Sequence, residues 1–159
     1  MNIDRTWLNI LLAFQFAVVG AQQKEYKQFL YPSGIVSSEG YLVNNKPDGY
    51  WKSYYPSGVL ISEGKRTNYL LDSIWKFYGE TGNLHKVVNY KNGVKNGYYI
   101  VYDLDASSHL ENNMVSKELY LNDKKNGTAE YYKDGSIAER ANYKDGNRHG
   151  YTYKYDLKG

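Results

Sequence analysis

The sequence predicts an all-β chain, an elongated antiparallel meander of stacked β-hairpins with a period of about 24 residues, preceded by a helical signal peptide. Three observations carry this. First, turn residues recur at fixed spacing. Gly34, Gly58 and Gly82 are 24 residues apart, as are Gly49, Ser73 and Gly97, and self-similarity at a constant period marks a repeat architecture. Second, the segments between them are short runs rich in Tyr, Trp, Val, Ile and Leu, the composition of strands. Third, Leu, Ile, Val and Phe together make only 35 of 159 residues, against 19 Tyr and 3 Trp. So few aliphatics approach the composition of disordered chains, but disordered segments are poor in aromatics. Tyr and Trp therefore supply the buried area while keeping a polar end wet, which suits a thin sheet.

Residues 1–21 have the pattern of a secretory leader: Arg5 near the start, an apolar stretch at 8–19, and Val19-Gly20-Ala21 before Gln22. The apolar stretch is short for a bilayer span. The chain is thus expected to be exported to the periplasm, envelope or medium. The mature part, 22–159, divides into copies at about 26–49, 50–73, 74–97, 98–127 and 128–150, with a partial copy at 151–159. The fourth copy carries extra residues around Asp105 to Asn113.

Each copy has two turn signals. Pro32-Ser33-Gly34 is repeated as Pro56-Ser57-Gly58 and answered by Lys133-Asp134-Gly135; Lys91-Asn92-Gly93 is answered by Lys144-Asp145-Gly146. Such positions call for positive φ, so Gly34, Gly58, Gly82 and Gly135 are read as structural turn glycines. Each repeat is then one hairpin, giving about ten or eleven strands. In the strand after the first turn, Val36, Leu60, Leu84 and Ile137 are equivalent, followed at the same parity by Gly40, Gly64, Val88 and Ala141 and then by Leu42, Arg66 and Tyr90. Shared parity places these on one face. The small residues there leave room for Trp51 and Trp75 from the preceding strand. Tyr54, Tyr78, Tyr102 and Tyr155 form a second ladder, with Tyr131 or Tyr132 as its fifth rung. The candidate binding surface is Trp51, Tyr54, Trp75, Tyr78, Tyr102 and Tyr155; as a competing reading, these aromatics are structural and replace missing aliphatics.

The chemistry of enzymes is hard to place here. There is no Cys, which excludes disulfides, thiolate metal sites and cysteine nucleophiles. His85, His109 and His149 occupy different points of the repeat and are not expected to converge, so no metal and no cofactor are expected. Glu39 and Glu63 are repeat-equivalent, two strands apart, at a gap paired carboxylates can use; abundant Lys and Arg nearby favour a salt-bridged face instead. The net charge of +3 is low and scattered, which argues against nucleic acid, and a membrane surface is disfavoured by the absence of a Lys/Arg-rich amphipathic helix.

The pattern W-x-x-Y-Y-x-x-G-x-L-x-x-E-G, carried by Trp51, Tyr54, Tyr55, Gly58, Leu60, Glu63 and Gly64, resembles the MORN-repeat variant, a family that includes bacterial proteins known as YwqK-type antitoxins. Tyr31, Gly34, Val36, Glu39, Gly40, Lys46, Asp48 and Gly49 spell the first copy. Ser73 and Asp123 replace expected glycines, and no Trp follows Trp75. The resemblance implies an elongated stack of hairpins that binds partners. Function is accordingly expected to be a non-catalytic scaffold for protein–protein interaction. The alternatives are an aromatic-cage binder of a cell-wall glycan or choline-like ligand and an antitoxin-type protein that neutralises a toxin. Exposed Trp51 and Trp75 would favour the ligand; buried ones favour the scaffold. Finally, the strand from Tyr151 to Tyr155 has no return strand in the sequence, so either its edge pairs with a partner strand or with a second copy of the chain, or the sequence is a truncated product.

Overall fold

The computed structural model describes residues 24–104 and 113–156. The leader expected at 1–21, most of the expanded segment of the fourth copy (105–112) and Gly159 lie outside the described residues. The chain is all-β, as the repeat spacing predicts. Twelve strands form one antiparallel sheet: β1 (Lys24–Leu30), β2 (Val36–Val43), β3 (Lys46–Tyr54), β4 (Leu60–Thr67), β5 (Leu70–Tyr78), β6 (Leu84–Lys91), β7 (Val94–Tyr102), β8 (Met114–Leu121), β9 (Lys124–Lys125), β10 (Gly127–Lys133), β11 (Ser136–Lys144) and β12 (Asn147–Lys154). Spatial order follows chain order, with the two-residue β9 beside β8 and off the main path. No second layer covers the sheet among the described residues, so its core lies in one row of side chains across its own surface.

The hairpins close in two ways. At one margin, Gly34, Gly58 and Gly82 donate their N–H groups to the carbonyls of Tyr31, Tyr55 and Gly79 at 2.8–2.9 Å, with φ of 85°, 86° and 86°. At the other margin the connections are two residues long, and both residues have positive φ: Asn44-Asn45, Asn68-Tyr69, Asn92-Gly93, Asn122-Asp123 and Asp145-Gly146. This is the turn whose twist matches that of its strands. The turn at Asp134-Gly135 is also of this two-residue kind, so it is not the counterpart of Pro32-Ser33-Gly34 that the sequence alone implies.

A second difference concerns Gly49, Ser73, Gly97 and Gly150. The spacing sets them among the turn residues, yet they lie inside β3, β5, β7 and β12, with φ of 102°, 60°, 113° and 74°. The chain has already reversed at the tight turn before each one. Here the register slips, from Leu42↔Pro47 to Gly40↔Trp51, for example. Each is the left-handed residue of a bulge, which bends the strand and increases its twist. Gly127, with φ 102°, plays this part at the junction of β9 and β10, and the break there accounts for the strand beyond the expected ten or eleven. Ser73 alone among these positions carries a Cβ in the left-handed region. Ser73→Gly is expected to raise stability by roughly 0.5–1 kcal/mol, the left-handed strain relieved less the added chain entropy. An unchanged or lower urea midpoint would contradict the strain at this site.

Bulges also decide which residues share a face. The register shifts at Phe29/Leu30, Ser53/Tyr54, Phe77/Tyr78 and Tyr131/Tyr132 pair Leu30 with Val36, Tyr54 with Leu60, Tyr78 with Leu84 and Tyr132 with Ile137. The extra residue breaks the simple alternation, so Val36, Leu60, Leu84 and Ile137 stand beside the tyrosine ladder rather than in line with Gly40 and Gly64. The same pairing makes Tyr132 the fifth rung.

Candidate binding surface

Register defines two neighbouring rows on opposite faces. On the first, Gly40 pairs with Trp51, Trp51 with Gly64, Gly64 with Trp75, and Trp75 with Val88. Trp75 is 2% exposed and Trp51 8%. The Trp75 indole N–H donates to the Lys65 carbonyl at 2.8 Å, the Arg66 guanidinium lies 5.2 Å from its ring centre, and Leu71, Phe77 and Tyr90 pack around it. Each indole folds back over the glycine of the strand before its own: Trp51 over Gly40 and Trp75 over Gly64. The sequence alone has the indole leaning the other way. Trp51 and Trp75 thus fill the part of a missing second layer.

On the second face, Glu39 pairs with Lys52, Lys52 with Glu63, and Glu63 with Lys76, an alternation of sign across adjacent strands that stabilises a sheet. The two carboxylates flank Lys52 across the register, one strand to either side. The Tyr54 hydroxyl donates to Glu39 at 2.5 Å and the Tyr78 hydroxyl to Glu63 at 2.7 Å. Burial and these carboxylates push both phenols up from their ordinary value. The Glu-Gly pair of the motif therefore has two jobs: the carboxylate holds tyrosine hydroxyls on one face, and the missing Cβ admits an indole on the other. Tyr102 is half-buried, and desolvation pushes its phenol up. Tyr155 is 43% exposed and accepts from Arg140 at 3.5 Å.

Both carboxyls are held below their ordinary value. Hydrogen bonds from Tyr54 and Gln28 do this at Glu39, whereas at Glu63 the Tyr78 and Tyr50 hydroxyls overcome a larger opposing effect of burial. A depressed folded pKa contributes stability that is present above the unfolded value of about 4.3 and lost as pH falls through the folded value. The urea midpoint is expected to be level above about pH 5 and to fall below about pH 4. The double variant Glu39→Gln, Glu63→Gln should show a shallower fall; an equal fall would place the titrating groups elsewhere.

Toward the carboxyl end the first row turns polar. Glu118 takes the place of Val88 and is 6% exposed. Lys125 donates to it at 2.8 Å and Tyr120 at 3.1 Å. Lys125 also contacts the Tyr131 hydroxyl at 3.2 Å, which is 3.1 Å from that of Tyr143. Burial alone would lower the Lys125 ammonium, but its bonds to Glu118 and Tyr131 raise it overall. Ala129 and Ala141, both buried, leave the space in which this cluster sits. Sequence reasoning gave no sign of it, since Glu118 is one of many charged residues in a strand and only the register reveals its row.

A further row was hidden in the same period. Tyr26, Tyr50, Ile74 and Tyr98 are 24 residues apart, stand on β1, β3, β5 and β7, and are 52%, 51%, 54% and 46% exposed. They share the face of Glu39 and Glu63. The spacing itself carries this signal, as it does for the ladder of Tyr54, Tyr78 and Tyr102. Separately, an open cleft of about 290 Å³ lies between the first two tight turns, lined by Val43, Asn44, Lys46, Asp48, Asn68 and Tyr69. Among the described residues, no three His, Cys, Asp or Glu side chains are grouped so as to hold a metal ion, and no helix is long and apolar enough to cross a membrane.

Three segments, residues 47–68, 71–92 and 125–145, match the model of the MORN repeat variant. The first two cover β3 with β4 and β5 with β6, each ending on the first residue of a tight turn, and the third covers β10 and β11 with their flanks. Repeats of this type are commonly protein- or membrane-binding motifs and are generally non-catalytic. No curated protein matches the chain.

Proposed function

We propose that the chain is an exported, non-catalytic repeat scaffold that binds a partner protein along its extended sheet. The MORN-type repeats support a binding role, and burial of Trp51 and Trp75 fits aromatics used to build a scaffold rather than a ligand cage. The observation that carries the reading is the strand β12. All its residues are exposed, Tyr151 at 80% and Tyr153 at 56%, and among the described residues nothing pairs with its outer edge. An open edge with aromatic side chains accepts an added strand from another chain. That chain is a partner protein, a toxin being one class of such partner, or a second copy.

Tyr155 donates its N–H to the Ala138 carbonyl at 2.9 Å, so by alternation the odd-numbered residues of β12 bond inward to β11 and Thr152 and Lys154 face outward. Thr152→Pro removes an outward donor without touching the inward ladder. The full-length chain, tagged and expressed through its own leader, should be recovered with its amino terminus at Gln22 and should retain a protein of stoichiometric amount, or sediment as a dimer. Thr152→Pro should abolish both while leaving the circular dichroism unchanged. Retention and sedimentation that do not respond to the substitution would defeat the edge as the binding element, and recovery with residue 1 intact inside the cell would defeat export.

A further inference from the structure

We infer that the face bearing Tyr26, Tyr50, Ile74 and Tyr98 is a platform for a neutral β-1,4-linked polysaccharide strand lying across the sheet. This goes beyond the protein-binding reading and uses a face of the sheet rather than its edge.

Four half-exposed apolar side chains, three of them aromatic, recur at a fixed period on one face, with Tyr41, Lys65 and Asn89 paired in register to Tyr26, Tyr50 and Ile74. The four positions recur on every second strand, so their backbones step by roughly 10 Å across the sheet. That is the length of one disaccharide in a β-1,4-linked glycan, in which alternate sugars present the same ring face. From β1 to β7 there are six strand intervals, or about 29 Å, the reach of a hexasaccharide.

Two of the rings are also held in place. Tyr26 packs edge-on against Tyr41 with ring centres 5.2 Å apart, and the Lys117 ammonium stands 4.7 Å from the centre of the Tyr98 ring. A ring held by such a neighbour is ordered in the free protein. Fixing it in the free protein reduces the ordering cost of binding. The C–H face of a β-pyranose stacks on such a ring, while its equatorial hydroxyls turn to the side.

Charge selects against other polymers. The row beside the ladder alternates Glu39, Lys52, Glu63 and Lys76 in register, so it presents no net sign to an approaching chain. A nucleic acid or an anionic membrane gains nothing from it. A neutral chain of hydroxyls, each both donor and acceptor, complements an alternating row of acceptors and donors. Ile74 is the one rung without an aromatic ring, and it sets the affinity below what the spacing allows.

The test uses the purified full-length chain and three oligosaccharides: cellohexaose, chitohexaose, and maltohexaose, whose α-linkage gives a different repeat. Isothermal titration should show binding of at least one β-1,4 hexamer and none of maltohexaose, and preference between cellohexaose and chitohexaose identifies the sugar. Tyr50→Ala should weaken binding by about tenfold, the loss of one aromatic contact, and Ile74→Tyr should tighten it. Both variants should retain the circular dichroism of the parent. Failure of both β-1,4 hexamers to bind, equal binding of maltohexaose, or unchanged affinity in Tyr50→Ala overturns the inference. If Tyr50→Ala does not fold, the absence of tightening in Ile74→Tyr overturns it. If retention of a partner protein depends on Tyr50 while neither hexamer binds, the glycan platform is refuted and the scaffold reading stands; loss of partner capture in Thr152→Pro with sugar binding intact separates the two in the other direction.

Discussion

Gly64→Val is expected to be among the most damaging single substitutions in the first half of the sheet. A Cβ at this position would lie 2.5 Å from Cδ2 and 2.6 Å from Cε2 and Cγ of Trp75. No rotamer adjustment of a flexible tip relieves that contact, since the obstacle is the body of an indole that is 2% exposed. The ring must leave, and the cost approaches that of deleting it, about 3–5 kcal/mol. That is a large share of the ~5–15 kcal/mol that holds a domain folded. Gly58→Val acts differently. Its φ of 86° is in the left-handed region, but the nearest neighbour of an added Cβ is Ile35 at 3.9 Å, so only backbone strain of about 1–3 kcal/mol results. Gly79→Val should cost less still, because φ there is not left-handed and the obstacle is the tip of Leu104. Urea midpoints should fall in that order; a Gly64→Val midpoint above that of Gly58→Val would show that the indole relocates freely.

Lys125→Met is expected to cost about 3 kcal/mol, the low end for breaking a buried pair, because the Lys125 side chain is 28% exposed while that of Glu118 is 8%. The loss comes from stranding the Glu118 carboxylate in a row whose other members include glycine, indole, valine and, directly paired with Glu118, Tyr99. The double variant Lys125→Met, Glu118→Val should then recover most of the loss, since it restores the residue that Val88 supplies at the equivalent place. Chemical denaturation of both singles and the double measures the coupling. A double variant as unstable as Lys125→Met alone would mean that the tyrosine hydroxyls around the pair, not the stranded charge, carry the effect.

Much of the architecture was legible because a period needs no knowledge of contacts. Gly34, Gly58 and Gly82 announced one margin of the sheet, and Asn92-Gly93 the other. What the period hid was the difference between a glycine that turns the chain and one that bulges a strand. Gly49 and Gly97 satisfy the same backbone demand as Gly58, so composition alone does not separate them. The tight turns at Asn44-Asn45 and Asn68-Tyr69 lacked glycine altogether. Asn tolerates positive φ through its short polar side chain, but Tyr69 at φ 59° follows no propensity rule. The faces failed where a bulge added one residue: parity carried Leu60 to the indole side, and register returned it to Tyr54. Burial of Trp51 and Trp75 was undecidable from sequence, because a single-layer sheet has no inside until one knows which residues lack a Cβ beside the ring. The exposed row at Tyr26, Tyr50 and Tyr98 was visible in the spacing, yet spacing does not distinguish a rung that is anchored inward from one that is open.

Four of the tight turns are tied to the hairpin before them: Asn68 donates its N–H to the Asp48 carboxylate at 2.8 Å, Gly93 to the Leu71 carbonyl at 2.8 Å, Asp123 to that of Lys95 at 3.0 Å and Gly146 to that of Lys125 at 2.9 Å. These bonds join units that otherwise meet only at their nearest strands. They give the sheet a gradient in time as well as in space. An amide in β5 or β6 exchanges its hydrogen only after fraying has travelled inward through several tied hairpins, whereas β1 and β12 open alone. Protection against deuterium should therefore rise in steps from each margin, one step per hairpin, and peak around Val88, so that the rate of exchange along the chain records how many turns must be released before each strand is free.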